Sequence, residues 1–203
     1  MRALEFFFDY GSPYSYLAST QVEALAQRTG AQLRWRPFLL GGVFKATGGE
    51  PPVSNMYKAR YLYKDLQDWA RVYGLPQVVL PDGFPVNSLS ADRLGFVAEE
   101  VGLLPAWSHV VFRAAFVEGR DISRPEVLRE LAASAGLDPQ AAFARMLSPE
   151  VKDRLRLNTE EAVRRGAFGA PTFFVGEQMF FGNDRLGFVE AALQRAAGQE
   201  ETR

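Results

Sequence analysis

Chemistry in this chain is invited by a pair of serines, one proline and a short Gly-Asn-Asp-Arg run. Ser12 and Ser15 stand in Gly11-Ser12-Pro13-Tyr14-Ser15, between the aromatic run Leu4 to Asp9 and a helix-like stretch. A hydroxyl at a helix N-terminus can donate to an anion, and the unpaired N–H groups and macrodipole there favour negative charge. A thiol held at such a point has its pKa lowered, so its thiolate fraction near neutral pH rises. Ser12 can equally be a plain N-cap, the commonest task of a serine in that place. Ser15, one turn further on, reads as structural. Far downstream, Gly169-Ala170-Pro171-Thr172 enters a second apolar strand. A cis bond before Pro171 would leave the Ala170 backbone free to pair with an extended, peptide-like ligand; an ordinary trans proline is the alternative. In Gly182-Asn183-Asp184-Arg185, at the start of the last helix, Asn183 or Asp184 can act as cap, and N–H groups there can hold a carboxylate. Asp184 can also pair with an ammonium group, with Arg185 orienting it or meeting a carboxylate.

These residues need elements to position them. Leu4 to Asp9 suits a buried strand. Apolar residues from Tyr16 to Ala26 recur at helical spacing until Thr29-Gly30, and Gln32 to Arg36 alternates as a strand that Pro37 ends. Such a βαβ unit favours a parallel pair with a crossover helix. Residues 38–166 then read as helices at 58–73, 91–101, 106–118, 125–135, 139–146 and 149–165. Gly41-Gly42, residues 48–52 and residues 80–85 are the loop-like breaks. Strands return at 172–175 and 178–181, and a helix closes over 184–197. The expectation is an α/β chain whose split domain, residues 1–37 and 167–203, is interrupted by an all-helical insertion, residues 38–166.

Composition narrows the function classes. Lys plus Arg number 23 against 24 Asp plus Glu, a net charge of -1, so nothing favours nucleic acid or an anionic membrane surface. The chain has no cysteine, which removes disulfide scaffolds, thiolate metal sites and redox catalysis by the protein's own thiols. No metal-spaced cluster or phosphate loop is evident. No apolar run approaches the length of a membrane span, and Met1-Arg2-Ala3-Leu4 enters a strand without a signal-like core, so a cytoplasmic location is expected. His109, the lone histidine, reads as structural. Lys45, Lys58 and Arg60 are candidates for a substrate carboxylate, with solvated surface charge the plainer reading.

Three stretches carry a family resemblance: Phe8-Asp9-Tyr10-Gly11-Ser12-Pro13-Tyr14-Ser15-Tyr16-Leu17, Gly169-Ala170-Pro171-Thr172-Phe173 and Phe181-Gly182-Asn183-Asp184-Arg185-Leu186. Together they resemble 2-hydroxychromene-2-carboxylate isomerases, which stand with kappa-class glutathione transferases in the DsbA-like branch of the thioredoxin fold. Serines occupy both positions of that fold's Cys-x-x-Cys, which implies a borrowed thiol, glutathione or another small thiol. The resemblance implies a thioredoxin-like fold with a helical insertion. It makes Ser12 the catalytic serine that holds the glutathione sulfur, and gives Ala170 backbone contacts to glutathione beside a cis Pro171. Gly182, Asn183, Asp184 and Arg185 would take the γ-glutamyl end. Asn55 matches an insertion asparagine near glutathione or substrate, although Met56 stands where the family has proline. Phe84 and Asn87 border the pocket for a small aromatic substrate; an N-cap at Asn87 or Ser88 is the alternative. A homodimer is the implied assembly. A kappa-like transferase and a non-catalytic thiol or peptide binder are the competing functions.

Overall fold

The computed structural model describes residues 2–201, with side chains through residue 198. Strand β1, Ala3–Phe8, lies inside a four-stranded sheet of order β2-β1-β3-β4. It runs parallel to β2 (Gln32–Pro37) and antiparallel to β3 (Thr172–Val175), which pairs antiparallel with β4 (Gln178–Phe181). Side chains alternate across a strand, so Leu4, Phe6 and Phe8 enter one core while Phe7 enters another on the opposite face. In register, Phe6 faces Trp35 and Phe173, and its ring lies 5.2 and 5.3 Å from theirs. On the other face Phe7 and Phe174 carry the guanidinium groups of Arg36 and Arg165, and Glu5 joins both arginines at 2.8 and 2.9 Å.

Helix α1, Pro13–Thr29, links the parallel strands, capped by Ser12 at one end and by Gly30, at φ 64°, at the other. Between β2 and β3 come α2 (Leu40–Thr47), α3 (Met56–Val72), α4 (Leu89–Glu100), α5 (Leu104–Phe116), α6 (Pro125–Ser134), α7 (Pro139–Arg145) and α8 (Pro149–Arg164). Helix α9, Leu186–Glu201, closes the described chain and packs on α1. None of the described helices is long and apolar enough to cross a membrane.

Two sequence expectations need correction. Gly41-Gly42, read as a loop, lies inside α2. The helix forms because Val43 is fully buried and because Gly42 approaches α8 so closely that a Cβ there would meet Thr159 at 3.1 Å. The last helix begins at Leu186 and not at Asp184; Asn183–Arg185 form a separate 3-10 turn. Asn183 therefore does not cap the helix, and its side chain turns inward to the Tyr73 hydroxyl.

The helices between β2 and β3 share their core with the sheet. Phe8 packs on Phe112 of α5 at 5.8 Å, and Tyr10 meets both Phe112 and Trp107. Removing so central a ring leaves a cavity, so Phe8→Ala is expected to cost about 3–5 kcal/mol. Denaturant unfolding followed by tryptophan fluorescence and by far-ultraviolet circular dichroism should give coincident curves, displaced together in the variant.

Candidate active site

The end of β1, the start of α1 and the entry to β3 meet at Ser12. Its hydroxyl accepts from the Ser15 N–H at 3.2 Å and donates to the Ala170 carbonyl at 3.3 Å. The Ala170-Pro171 bond is cis, as is Phe84-Pro85. Proline 171 has no N–H to give, and among the described residues the Ala170 N–H has no partner either. Ser12 is thus both an N-cap and one wall of a cavity of about 610 Å³. A second cavity, about 640 Å³, is lined by Arg34, Arg36, Glu99 and Arg154 but by none of the three motifs. Arg36 and Arg154 there are already neutralised by Glu5, Glu161, Glu99 and Glu100.

Helix α2 and the segment after it supply the wall facing Ser12, through Leu39, Leu40, Phe44, Pro52 and Val53. Phe84, Val86 and Asn87 form a third side, and Phe168, Gly169, Ala170 and Phe181 a fourth. The Phe168 and Phe181 rings lie 4.5 Å apart, and both remain partly open to solvent. A Cβ at 169 would stand 2.6 Å from the Phe181 ring, so any other residue there must displace that ring. The lining is mostly aromatic and aliphatic, with a few convergent polar groups, as in small-molecule sites generally.

Of the residues singled out from sequence, Ser12, Ala170, Phe84 and Asn87 meet in this cavity. The Asn87 side chain also accepts from the Leu89 N–H at 3.0 Å, at the start of α4. Asn55 is exposed and caps α3, accepting from Tyr57 and Lys58, beyond the lining residue Val53. The 182–185 turn flanks α1 outside the cavity. Gly182, at φ 103°, donates its N–H to the Pro171 carbonyl, and Asp184 pairs with Arg185 at 2.8 Å. Asp184 nevertheless reaches the site electrostatically, as one of the charges that keep the Tyr14 phenol protonated. Burial contributes most to that upward shift, followed by the Tyr14 hydrogen bond to Asp65. Lys45, Lys58 and Arg60 are exposed and line no part of the cavity. His109 meets Glu23 and Trp35 on the far side of the sheet's core, consistent with a structural residue.

Sequence reasoning passed over Asp9, Ser88, Phe44, Phe168 and Phe181 as site residues, although all line the cavity. Asp9 is 2% exposed, and its carboxylate accepts from the Gly11 and Leu40 N–H groups at 2.7 and 2.6 Å. Burial raises its pKa, against the hydrogen bonds that lower it. Its position directly after a run of buried aromatics was the available signal.

The match to known proteins covers the whole of this architecture. Residues 3–194 fit the model of the DSBA-like thioredoxin domain. A 2-hydroxychromene-2-carboxylate isomerase of Pseudomonas putida is 35% identical over 201 residues, 97% of this chain and 96% of that protein. The chain belongs to the 2-hydroxychromene-2-carboxylate isomerase family. A solved structure of a 2-hydroxychromene-2-carboxylate isomerase agrees at a TM-score of 0.89 and 32% identity, over 98% of each chain. Glutathione S-transferase kappa 1 of Homo sapiens is 30% identical over 205 residues, 95% of this chain and 91% of that protein. This is therefore an enzyme of an isomerase family, on a DsbA-like fold shared with glutathione transferases.

The Gly169–Phe181 contact can be checked directly. Gly169→Ala should push Phe181 off Phe168 and cost about 1–3 kcal/mol in denaturant. Combined with Phe181→Ala, which removes the clash, the two changes should be coupled and not additive in a double-mutant cycle.

Proposed function

We propose that this protein isomerises 2-hydroxychromene-2-carboxylate and the related trans-o-hydroxybenzylidenepyruvate type of aromatic substrate, with glutathione or another small thiol bound at Ser12. One observation carries the reading: a helix-capping hydroxyl meets the Ala170 carbonyl beside a cis proline, at the wall of an aromatic-lined cavity, in a chain with no cysteine of its own. The related names supply the substrate and the cofactor, and the residues present suit both.

When bound, glutathione would supply a thiolate, a nucleophile suited to reversible addition at a double bond conjugated with a pyruvoyl group. The chain does the rest. Ser12, whose bond to the Ala170 carbonyl is a long 3.3 Å, would be free to donate to the sulfur instead, beside the positive end of α1. Ala170 offers its N–H, and then its freed carbonyl, to the peptide backbone of the tripeptide. The 182–185 turn, outside the cavity, would hold the γ-glutamyl end, Asp184 and Arg185 exchanging their mutual 2.8 Å pair for its ammonium and carboxylate. Asn55, on the rim beside Val53, serves the opposite end. Phe84, Phe168 and Phe181 hold the substrate ring by stacking and edge contacts, and Asn87 holds a polar substituent. Leu62 and Phe44 keep water from the reacting carbon. Ser12 is an activator of a borrowed nucleophile, not the nucleophile itself.

A kappa-like transferase is the second reading, favoured by the 30% identity to the human kappa enzyme. The two differ in thiol balance, since an isomerase returns what a transferase consumes. Turnover of 2-hydroxychromene-2-carboxylate, followed by absorbance with substoichiometric glutathione, should proceed to equilibrium without loss of free thiol. Ser12→Ala should lower kcat/KM by about 10²–10³, the usual loss on removing one donor to a reacting anion. Stoichiometric thiol loss would establish the transferase, and absence of turnover with every thiol tried would leave a binder.

A further inference from the structure

Two carboxyl groups lie buried behind the Ser12 turn with no cation to balance them. Asp9, at the end of β1, is 2% exposed, and Asp92, in the first turn of α4, is fully buried. Among the described residues no lysine, arginine or histidine contributes to the ionisation of either. The neighbouring Arg93 leaves its buried Nε without a partner. The remaining titratable group beside them is the Tyr10 phenol, which is bound to Ser108 at 2.8 Å and held protonated by burial. The Ser88 hydroxyl stands near both carboxyls, although no formed hydrogen bond reaches Asp92 Oδ2.

The surroundings of the two acids are unequal. Asp9 receives short bonds on both oxygens, from Gly11 at 2.7 Å and Leu40 at 2.6 Å, which is how an anion is satisfied. Asp92 receives a single long contact, from the Tyr10 N–H at 3.4 Å, and its second oxygen has none. Such a site does not support a buried charge, least of all beside another carboxylate. We propose that Asp9 and Asp92 hold one proton between them at neutral pH, on Asp92, and that ionised Asp9 is the positioning residue that ties the Ser12 turn to α2. Burial raises both pKa values, that of Asp92 further, and the Asp9 charge adds to the shift of Asp92. The two acids titrate as a pair.

The clasp matters because its two donors both line the cavity and come from separate segments, Gly11 in the Ser12 turn and Leu40 at the start of α2. Gly11 is closely packed in the clasp: a Cβ there would meet Asp9 Oδ1 at 3.2 Å and the Val86 carbonyl at 3.3 Å. The sign of the pH effect follows from the raised pKa of Asp92. Stability falls as pH rises from the unfolded value, about 3.9, through the folded one, where the second charge appears beside the first. Asp92→Asn, which resembles the protonated acid, should reduce that decline to the part Asp9 contributes through its own raised pKa.

Carboxyl carbon-13 NMR, with Asp9→Asn and Asp92→Asn for assignment, tests the pair without any ligand. One carboxyl should be ionised and the other protonated at neutral pH, and Asp92 should titrate at lower pH once Asp9 is replaced. Gly11 and Leu40 amides should exchange roughly tenfold faster or more in Asp9→Asn, as expected for loss of bonds to a charge. In wild type, exchange corrected for base catalysis should quicken again above the Asp92 ionisation, and in Asp92→Asn it should not. Two carboxyls already ionised at neutral pH, or amides unmoved in Asp9→Asn, would overturn the inference. The effect on thiol binding rests on the proposed function: Asp9→Asn should weaken glutathione roughly tenfold. A wild type that binds no glutathione would overturn that function, while titration and exchange still decide the pair.

Discussion

The site depends on a meeting between two parts of the chain 158 residues apart, the Ser12 hydroxyl and the Ala170 carbonyl. Neither segment can reach the other unless β1 lies between β2 and β3, with the start of α1 at one strand end and the cis-proline loop beside it. The aromatic packing enforces that order. On one face Phe6 packs against Trp35 and Phe173 within the sheet and Phe8 binds it to α5, and Phe7 and Phe174 take the other face beneath two arginines. Central strands buried on both faces are costly to displace. The chemistry proposed at Ser12 would therefore rest on a well-packed scaffold, with the long 3.3 Å bond at its centre as the part free to change partners.

The scaffold was legible because its signals are local. Aromatic runs mark β1, β3 and β4, period-two alternation ended by Pro37 marks β2, and Ser12-Pro13 with Gly30 marks both ends of α1. The helices of residues 56–164 followed from spacing to within a few residues. Helix α2 was not legible, because Gly41-Gly42 reads as a break and only the close approach to Thr159 makes glycine the residue that fits. Asp92 was hidden in the same way. In sequence it is a polar residue in an amphipathic helix, and its complete burial beside Asp9 is decided by packing between segments more than eighty residues apart. Asn183 resembled a cap, yet the 3-10 turn aims it at Tyr73. The Phe168–Phe181 pair depends on the loop before β3 folding back on β4, which residue spacing does not encode.

Replacement of both thiols by serine changes what the thioredoxin frame can do while leaving its electrostatics in place. The N-terminus of α1 still favours an anion, and the loop at Pro171 still leaves a backbone edge open. What is lost is the protein's own sulfur, and with it disulfide exchange. The cavity beside Ser12 is walled by Phe44, Phe84, Phe168 and Phe181, a lining suited to an aromatic ligand. An anionic Asp9 close behind the turn works against the helix dipole, and the single proton on Asp92 limits that opposition to one charge.

The central claim is that Ser12 and the start of α1 hold a thiol of the bound cofactor as its anion. The direct measurement is the pKa of protein-bound glutathione, read from thiolate ultraviolet absorbance across a pH titration of wild type and Ser12→Ala. A free cysteine thiol ionises near 8.5. The account predicts a bound value at least about one unit lower in wild type, and a return toward the free value when the hydroxyl is removed. Equal values in the two proteins, or a bound thiol that ionises no more readily than a free one, would contradict it.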